Sequence, residues 1–330
     1  MPELQVVTEM RPPERPPRRH LLSISDLTRD DVERLLATAQ TFEASLQREV
    51  KKLPTLRGRT VVNLFYENST RTVSSFDLAA KRLSADTMTI KASGSSVEKG
   101  ESLKDTALTL SAYDPDVIVI RHPAIGAPKL VAEVTSAHVV NAGDGKHQHP
   151  TQALLDLYTI RAELGRLEGV HVAIVGDVLH SRVARSNIQA LVLCGAHVTL
   201  VGPPALLPRG IESMGCETTT DIGALGAADV VYVLRMQRER MAEGANFVPT
   251  LREYATRWGV TPARLRPGQK VMHPGPMNRG VEIDPRVADS VDALVTTQVR
   301  SGLVVRMAVL YDLLVQGPAP VETHVVAGVA

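Results

Sequence analysis

Glu67-Asn68-Ser69-Thr70-Arg71-Thr72-Val73 follows an apolar run, Val61 to Phe65, and leads into a helical pattern. Three hydroxyls and a guanidinium thus stand where a helix begins. Backbone N–H groups there have no intrahelical acceptor, and the helix dipole is positive. Such a place receives an anion, phosphate above all. The plainer alternative is that Ser69 or Thr70 merely caps the helix, yet a cap needs one hydroxyl. No GxxxxGK[ST] is present, which excludes a nucleoside-triphosphate loop.

Other candidates follow apolar runs in the same way. Arg121-His122-Pro123 ends one of them, as a cation at a strand's carboxyl end or as a surface Arg before a turn. His149-Pro150-Thr151-Gln152 opens a helix, and a His and a Gln three apart share a helical face and reach one small ligand. His147 and His149, two apart, make a poor metal pair, and no third ligand is near, so no metal site is expected. Val175-Gly176-Asp177 occupies a dinucleotide-type turn, but Val178 and Ser181 stand where that fingerprint needs glycine, which excludes a nicotinamide cofactor. Arg182 falls in the first turn of the next helix, where a cation opposes the dipole, so it is expected to face an anion. Arg235 and Gln237 lie on one side of an extended segment and offer a guanidinium fork and an amide to a carboxylate. Read alone, Arg235 to Arg240 is also an ordinary solvated charge run. His273-Pro274-Gly275-Pro276 is a rigid, small-residue turn that fixes backbone carbonyls beside a ligand. Ser93 to Ser102 is a loop containing Ser95 and Lys99.

Strands are expected at Val61–Phe65, Thr87–Ile90, Val117–Ile120, Val170–Val175, His197–Val201, Val230–Leu234 and Lys270–Met272. Helices are expected at Val73–Leu83, Ser102–Ala112, Pro150–Leu164, Arg182–Leu193 and Val295–Leu314. The alternation predicts an α/β fold with parallel sheets flanked by helices, two such layers in series. Asn141-Ala-Gly-Asp-Gly145 reads as a turn-rich join between them. Ligands in such folds sit at the carboxyl ends of strands, where these candidates cluster.

The 330 residues have 37 Lys+Arg against 36 Asp+Glu, a net charge of +1 that gives no general attraction to nucleic acid or anionic membrane. Aromatics at 3% are too few for base-stacking platforms. No apolar run approaches a membrane span, and the Pro/Arg-rich first twenty residues lack the apolar core of a signal peptide. Cys194 and Cys216 form neither a disulfide framework nor a metal motif, which points to a reducing cytoplasm.

Together, over about residues 20–316, these motifs resemble the aspartate carbamoyltransferase family. Ser69-Thr70-Arg71-Thr72 is similar to its carbamoyl-phosphate signature, with Arg121-His122-Pro123 and His149-Pro150-Thr151-Gln152 in order behind it. Ornithine-specific relatives end in a His-Cys-Leu-Pro turn and carry Ser-Met-Gly after a strand of the second domain. Here the turn is His273-Pro-Gly-Pro276, and Ser213-Met214-Gly215 precedes that strand. Many relatives have Pro where Asn68 stands and Leu where Gly275 stands; Glu98 beside Lys99 is a further departure. The resemblance implies two Rossmann-like domains, each a mostly parallel sheet flanked by helices. The first spans 21–148 with a helix at 296–316 packing back on it, the second spans 149–295, and a leader (1–20) and a tail (317–330) flank them. It implies transfer of a carbamoyl group from carbamoyl phosphate to L-aspartate without a cofactor. Ser69, Thr70, Arg71, Thr72, Ser95, Lys99, Arg121, His149, Gln152, Pro274 and Gly275 would bind carbamoyl phosphate, and Arg71, Thr72, Arg121 and His149 would be catalytic. Lys99, Arg182, Arg235, Gln237, Gly275 and Pro276 would bind aspartate. The resemblance further implies a homotrimer with shared sites, with a dodecamer built with regulatory chains or a dihydroorotase as a larger form, and no nucleic-acid or membrane partner. Transfer to another amino acid such as ornithine, or a non-catalytic assembly role, are the alternatives.

Overall fold

The computed structural model describes residues 20–91, 100–237 and 250–315. After helix α1 (Arg29–Ser45), strand β1 (Thr60–Phe65), α2 (Thr70–Arg82), β2 (Asp86–Lys91), α3 (Leu103–Ser111), β3 (Val117–His122), α4 (Ala127–Val134) and β4 (His138–Asp144) build the first layer. Helix α5 (Pro150–Leu164) leads to the second. That layer comprises β5 (His171–Val175), α6 (Arg182–Leu193), β6 (His197–Val201), β7 (Glu217–Thr219), β8 (Val230–Val233), α7 (Leu251–Trp258), β9 (Lys270–Met272) and α8 (Pro285–Ala288). Helix α9 (Val295–Val315) closes the chain.

Both sheets are parallel, in the orders β2-β1-β3-β4 and β7-β6-β5-β8-β9. Their strands are continuous apolar runs because both faces are covered. Val61, Phe65, Val117, Val119, Val172 and Ile174 point into one large core shared with α1, α2, α5, α6 and α9. Their neighbours turn to the outer faces: Val62, Leu64, Ile118 and Ile120 meet α3 and α4, and Ala173 and Val175 join Val260, Ile283 and Val287. Helix α9 packs against α1, α2 and α5, so the last helix returns to the first layer.

The order of each sheet decides where a ligand can sit. From β1 the chain adds β2 on one side and β3 on the other; from β5 it adds β6 and β7 on one side and β8 on the other. Loops diverge at each reversal and leave a crevice beyond the strand ends. One crevice lies beyond β1 and β3, the other beyond β5 and β8.

Two local expectations change. Helix α2 begins at Thr70, three residues before the expected start, which puts Thr70, Arg71 and Thr72 themselves in the first turn. The sequence Asn141 to Asp144, read as a turn, is the buried end of β4. Its polar groups are satisfied locally: Asn141 Nδ2 donates to Asp144 Oδ1 at 2.9 Å, and Gly143 N donates to Asn141 Oδ1 at 2.8 Å. Turn-type residues thus lie in a strand without the cost of unpaired polar groups.

Candidate active site

At the first crevice the register places Arg121 of β3 beside Phe65, the last residue of β1. From there Arg121 Nη1 donates to Ser69 Oγ at 3.1 Å and its Nε to Glu67 Oε2 at 3.0 Å. Ser69 occupies the N-cap of α2 yet makes no side-chain cap bond. Its hydroxyl therefore serves the arginine rather than the helix, against the simple capping reading. Arg71 and Thr72 extend the same turn, with Arg71 exposed and Thr72 buried.

His149 begins α5, held by its backbone N–H donating to Ser186 Oγ of α6 at 2.8 Å; that hydroxyl donates in turn to Gln148 Oε1 at 2.7 Å. Gln152, one turn on, points Nε2 at Asp156 Oδ1, 3.1 Å away. His147 is exposed, pairs with Asp144 at 3.0 Å, and lies off the cavity these groups line.

The second crevice contributes the remaining cations. Arg182, in the first turn of α6, is 2% exposed. Its Nη2 donates to Glu67 Oε2 at 2.6 Å and its Nη1 to the Gly145 carbonyl at 3.1 Å. A Cβ at Gly143, whose φ is +120°, would stand 2.9 Å from the Arg182 guanidinium carbon, so glycine is required there. Arg235 and Gln237 line the cavity while Met236 between them is buried with Leu206 and Tyr254, as the alternation predicts. The fully buried Asp177 fixes this edge by accepting from Gln237 N at 3.1 Å and pairing with His180 Nδ1 at 2.8 Å.

The turn at 273–276 is set by its histidine. His273 Nδ1 accepts from Gly275 N at 2.8 Å, so Nε2 carries the proton toward Glu282 Oε1, 3.3 Å away. Burial pushes the His273 pKa down, although Glu282 opposes this. A neutral, fully committed ring makes His273 a brace and not a base. The Gly275–Pro276 peptide is cis.

These groups enclose one cavity of about 630 Å³. Every site residue expected from the sequence lines it except Ser95 and Lys99, which lie outside the described residues. Among the described residues lining it are five arginines, at 71, 121, 182, 235 and 306, and no carboxylate. The volume suits two small metabolites, and the lining suits anions. Arg306 of α9 was not singled out in the sequence. It bonds Ser75 Oγ at 2.8 Å and lies 5.1 Å from the Phe76 ring centre; burial lowers its pKa to about 10. Glu67 was missed as well, a carboxylate that among the described residues touches two of the five cations, Arg121 and Arg182. A lone acid immediately before an anion cradle was its only sequence signal.

The family described as aspartate/ornithine carbamoyltransferase matches twice: its carbamoyl-P binding domain over residues 19–162 and its Asp/Orn binding domain over 168–313. The aspartate carbamoyltransferase catalytic subunit of Acidothermus cellulolyticus is 60% identical over 300 residues, covering 90% of this chain and 92% of that one. That of Kineococcus radiotolerans is 57% identical over 315 residues, covering 92% and 98%. Among solved structures, aspartate transcarbamoylase from Trypanosoma cruzi in complex with carbamoyl phosphate and aspartate superimposes with a TM-score of 0.82. It has 33% identity and covers 90% of this chain and 97% of that one. The catalytic subunit of M. jannaschii aspartate transcarbamoylase has 37% identity and a TM-score of 0.77 over 90% and 98%.

Glu67→Gln removes the charge that holds Arg121 and Arg182 together across the two crevices. Hydrogen bonds to charged groups are worth about 1.5–3 kcal/mol, so kcat/KM should fall by roughly ten- to a hundredfold. Steady-state kinetics beside a melting curve check this; unchanged kinetics would show that the bridge does not position either arginine.

Proposed function

The chain belongs to the aspartate/ornithine carbamoyltransferase family, and we infer that it transfers the carbamoyl group of carbamoyl phosphate to L-aspartate. The products are N-carbamoyl-L-aspartate and phosphate, in de novo pyrimidine (UMP) biosynthesis. The observation that carries this reading is a single cleft lined, among the described residues, by five arginines and no carboxylate, four of them at the strand ends of the two layers and one from α9. Its substrates bring a phosphate of charge about −1.5 to −2 and two carboxylates, which is the charge such a lining lacks.

Charge and position support the roles that the family resemblance implies. Ser69, Thr70, Arg71 and Thr72 hold the phosphate at the N-terminus of α2, and Arg121 reaches from it toward the carbonyl. Thr72, Arg121 and His149 face the carbonyl oxygen as it becomes an oxyanion; one such donor is typically worth 10²–10³ in rate. Gln152 Oε1 and the carbonyls of Pro274 and Gly275 accept from the carbamoyl NH₂. Arg182 takes the α-carboxylate of aspartate, Arg235 and Gln237 take the β-carboxylate, and Gly275 and Pro276 form the wall beside it. The amine nitrogen attacks the carbamoyl carbon, the C–O bond to phosphate breaks, and the departing phosphate accepts the amine proton. Proximity and charge stabilisation then carry most of the rate, with no side-chain base.

Aspartate is favoured over ornithine because a guanidinium at position 235 suits a carboxylate and opposes an ammonium. Neither cysteine lines the cleft, and burial pushes the Cys194 thiol up to about 11. Ser213-Met214-Gly215 is also remote, in a short turn ahead of β7. We further propose a phosphate-binding domain at 21–148 with 296–316, an aspartate-binding domain at 149–295, and a homotrimer in the cytoplasm. In that trimer Ser95 and Lys99 complete a neighbouring subunit's cleft, and Lys99 also meets aspartate. Regulatory chains or a dihydroorotase would join at the level of a dodecamer. Among the described residues no helix is long and apolar enough to cross a membrane.

Phosphate release from carbamoyl phosphate, measured with L-aspartate and L-ornithine in parallel, should require aspartate; release with ornithine alone would overturn the assignment. For the shared site, inactive Arg71→Ala and Lys99→Ala chains are mixed and reassembled. Random assortment restores an intact site at roughly a quarter of interfaces, so activity should return toward that fraction. No recovery would remove the shared-site proposal.

A further inference from the structure

Asp156, in α5, is 2% exposed, and four donors from four elements converge on it. Its Oδ1 accepts from Gln152 Nε2 at 3.1 Å and from Gln298 Nε2 of α9 at 2.7 Å. Its Oδ2 accepts from Asn187 Nδ2 of α6 at 3.0 Å and from Tyr232 Oη of β8 at 2.7 Å. Burial raises its pKa to about 6, while the four donated bonds, from Tyr232, Gln298, Asn187 and Gln152, favour the ionised form. An ionised carboxylate only accepts. Each glutamine must therefore turn its NH₂ toward Asp156 and its oxygen the other way.

Both oxygens then face the same task. Gln152 lines the cleft with Oε1 left to accept. Gln298 Oε1 accepts from His273 N at 2.9 Å, which fixes the strand-to-turn junction ahead of the Pro274 and Gly275 carbonyls. The side-chain arm and the backbone arm proposed to take the carbamoyl NH₂ are thus wired to one buried carboxylate.

We infer that Asp156 is a positioning residue for the carbamoyl amide: it fixes the acceptor face of Gln152 and, through Gln298, that of the turn at 273–276, so that the cleft reads an NH₂ in preference to a methyl group. The inference rests on the roles given above to Gln152 and the turn. Asp156 touches no substrate; its effect is to keep donors from facing a donor. Asparagine in its place keeps one accepting oxygen and turns an NH₂ on two of the four donors; with that NH₂ toward Gln152 and Gln298, one glutamine must flip its own NH₂ away, for Gln152 into the cleft.

Acetyl phosphate is the probe, because it has the shape of carbamoyl phosphate with a methyl group for the NH₂. Dissociation constants for carbamoyl phosphate, acetyl phosphate and inorganic phosphate are measured with the full-length wild-type protein and with Asp156→Asn. The wild type should prefer carbamoyl over acetyl phosphate by about tenfold or more, as expected for two or three neutral hydrogen bonds. In Asp156→Asn that ratio should fall at least about fivefold, while inorganic phosphate binding stays within about twofold. A merely structural role would weaken all three ligands together, and that result, or an unchanged ratio, overturns the inference. A wild type that binds both acyl phosphates alike would overturn it together with the amide roles of Gln152 and the turn, whereas discrimination that survives in the variant overturns it alone. If Asp156→Asn does not fold, Gln298→Met, which keeps the carboxylate and its other three donors, carries the same test with the same expected fall. An unchanged ratio there is equally fatal.

Discussion

Five guanidinium groups line one cavity, and two of them, Arg182 and Arg306, are buried. Moving a charge out of water costs several kcal/mol even after the protein relaxes, and like charges at close range add to that. The described site answers with one acid: Glu67 bonds Arg121 at 3.0 Å and Arg182 at 2.6 Å through the same oxygen. Among the described residues no carboxylate lines the cavity beside Arg71 and Arg306. The shortfall is an affinity for anions, and it explains why a phosphate and a dicarboxylic amino acid are received together. With its ligands in place, the substrates supply the negative charge that balances these cations.

The topology decides which cations meet. Parallel order puts all strand ends of a sheet on one edge, and each reversal of direction opens that edge. Arg71 and Arg121 come from the reversal in the first sheet, Arg182 and Arg235 from the reversal in the second. Neither layer carries both halves of the charge. Glu67, on the first layer, reaches Arg182 on the second, so the contact that balances charge is also the one that spans the layers. Helix α9 completes the arrangement by returning to pack on the first layer and bringing Arg306 and Gln298 to the shared cavity.

Much of this was legible where a short-range rule governs. Period-two alternation placed Arg235 and Gln237 in the cavity and Met236 in the core, and the clash of a cation with a helix dipole marked Arg182 as facing an anion. That the anion would be Glu67 was not legible, because the contact spans 115 positions and no local pattern encodes it. Asn141 to Asp144 misled because short polar residues signal turns, whereas here they bond one another inside a strand. Asp156 looked like any acid on a helix; only the packing of α5, α6, β8 and α9 makes it a hub. Helix α9 read clearly as a helix for its length of apolar sequence, but the cation it delivers was hidden in that run.

A crystal structure with carbamoyl phosphate and succinate tests the central claim most directly, since succinate keeps both carboxylates of aspartate but has no amine to react. The account predicts both molecules in the one cleft, the phosphate against residues 69–72 and the two carboxylates on Arg182 and Arg235. Anions bound on separate surfaces, or a succinate that leaves Arg182 and Arg235 untouched, would contradict it.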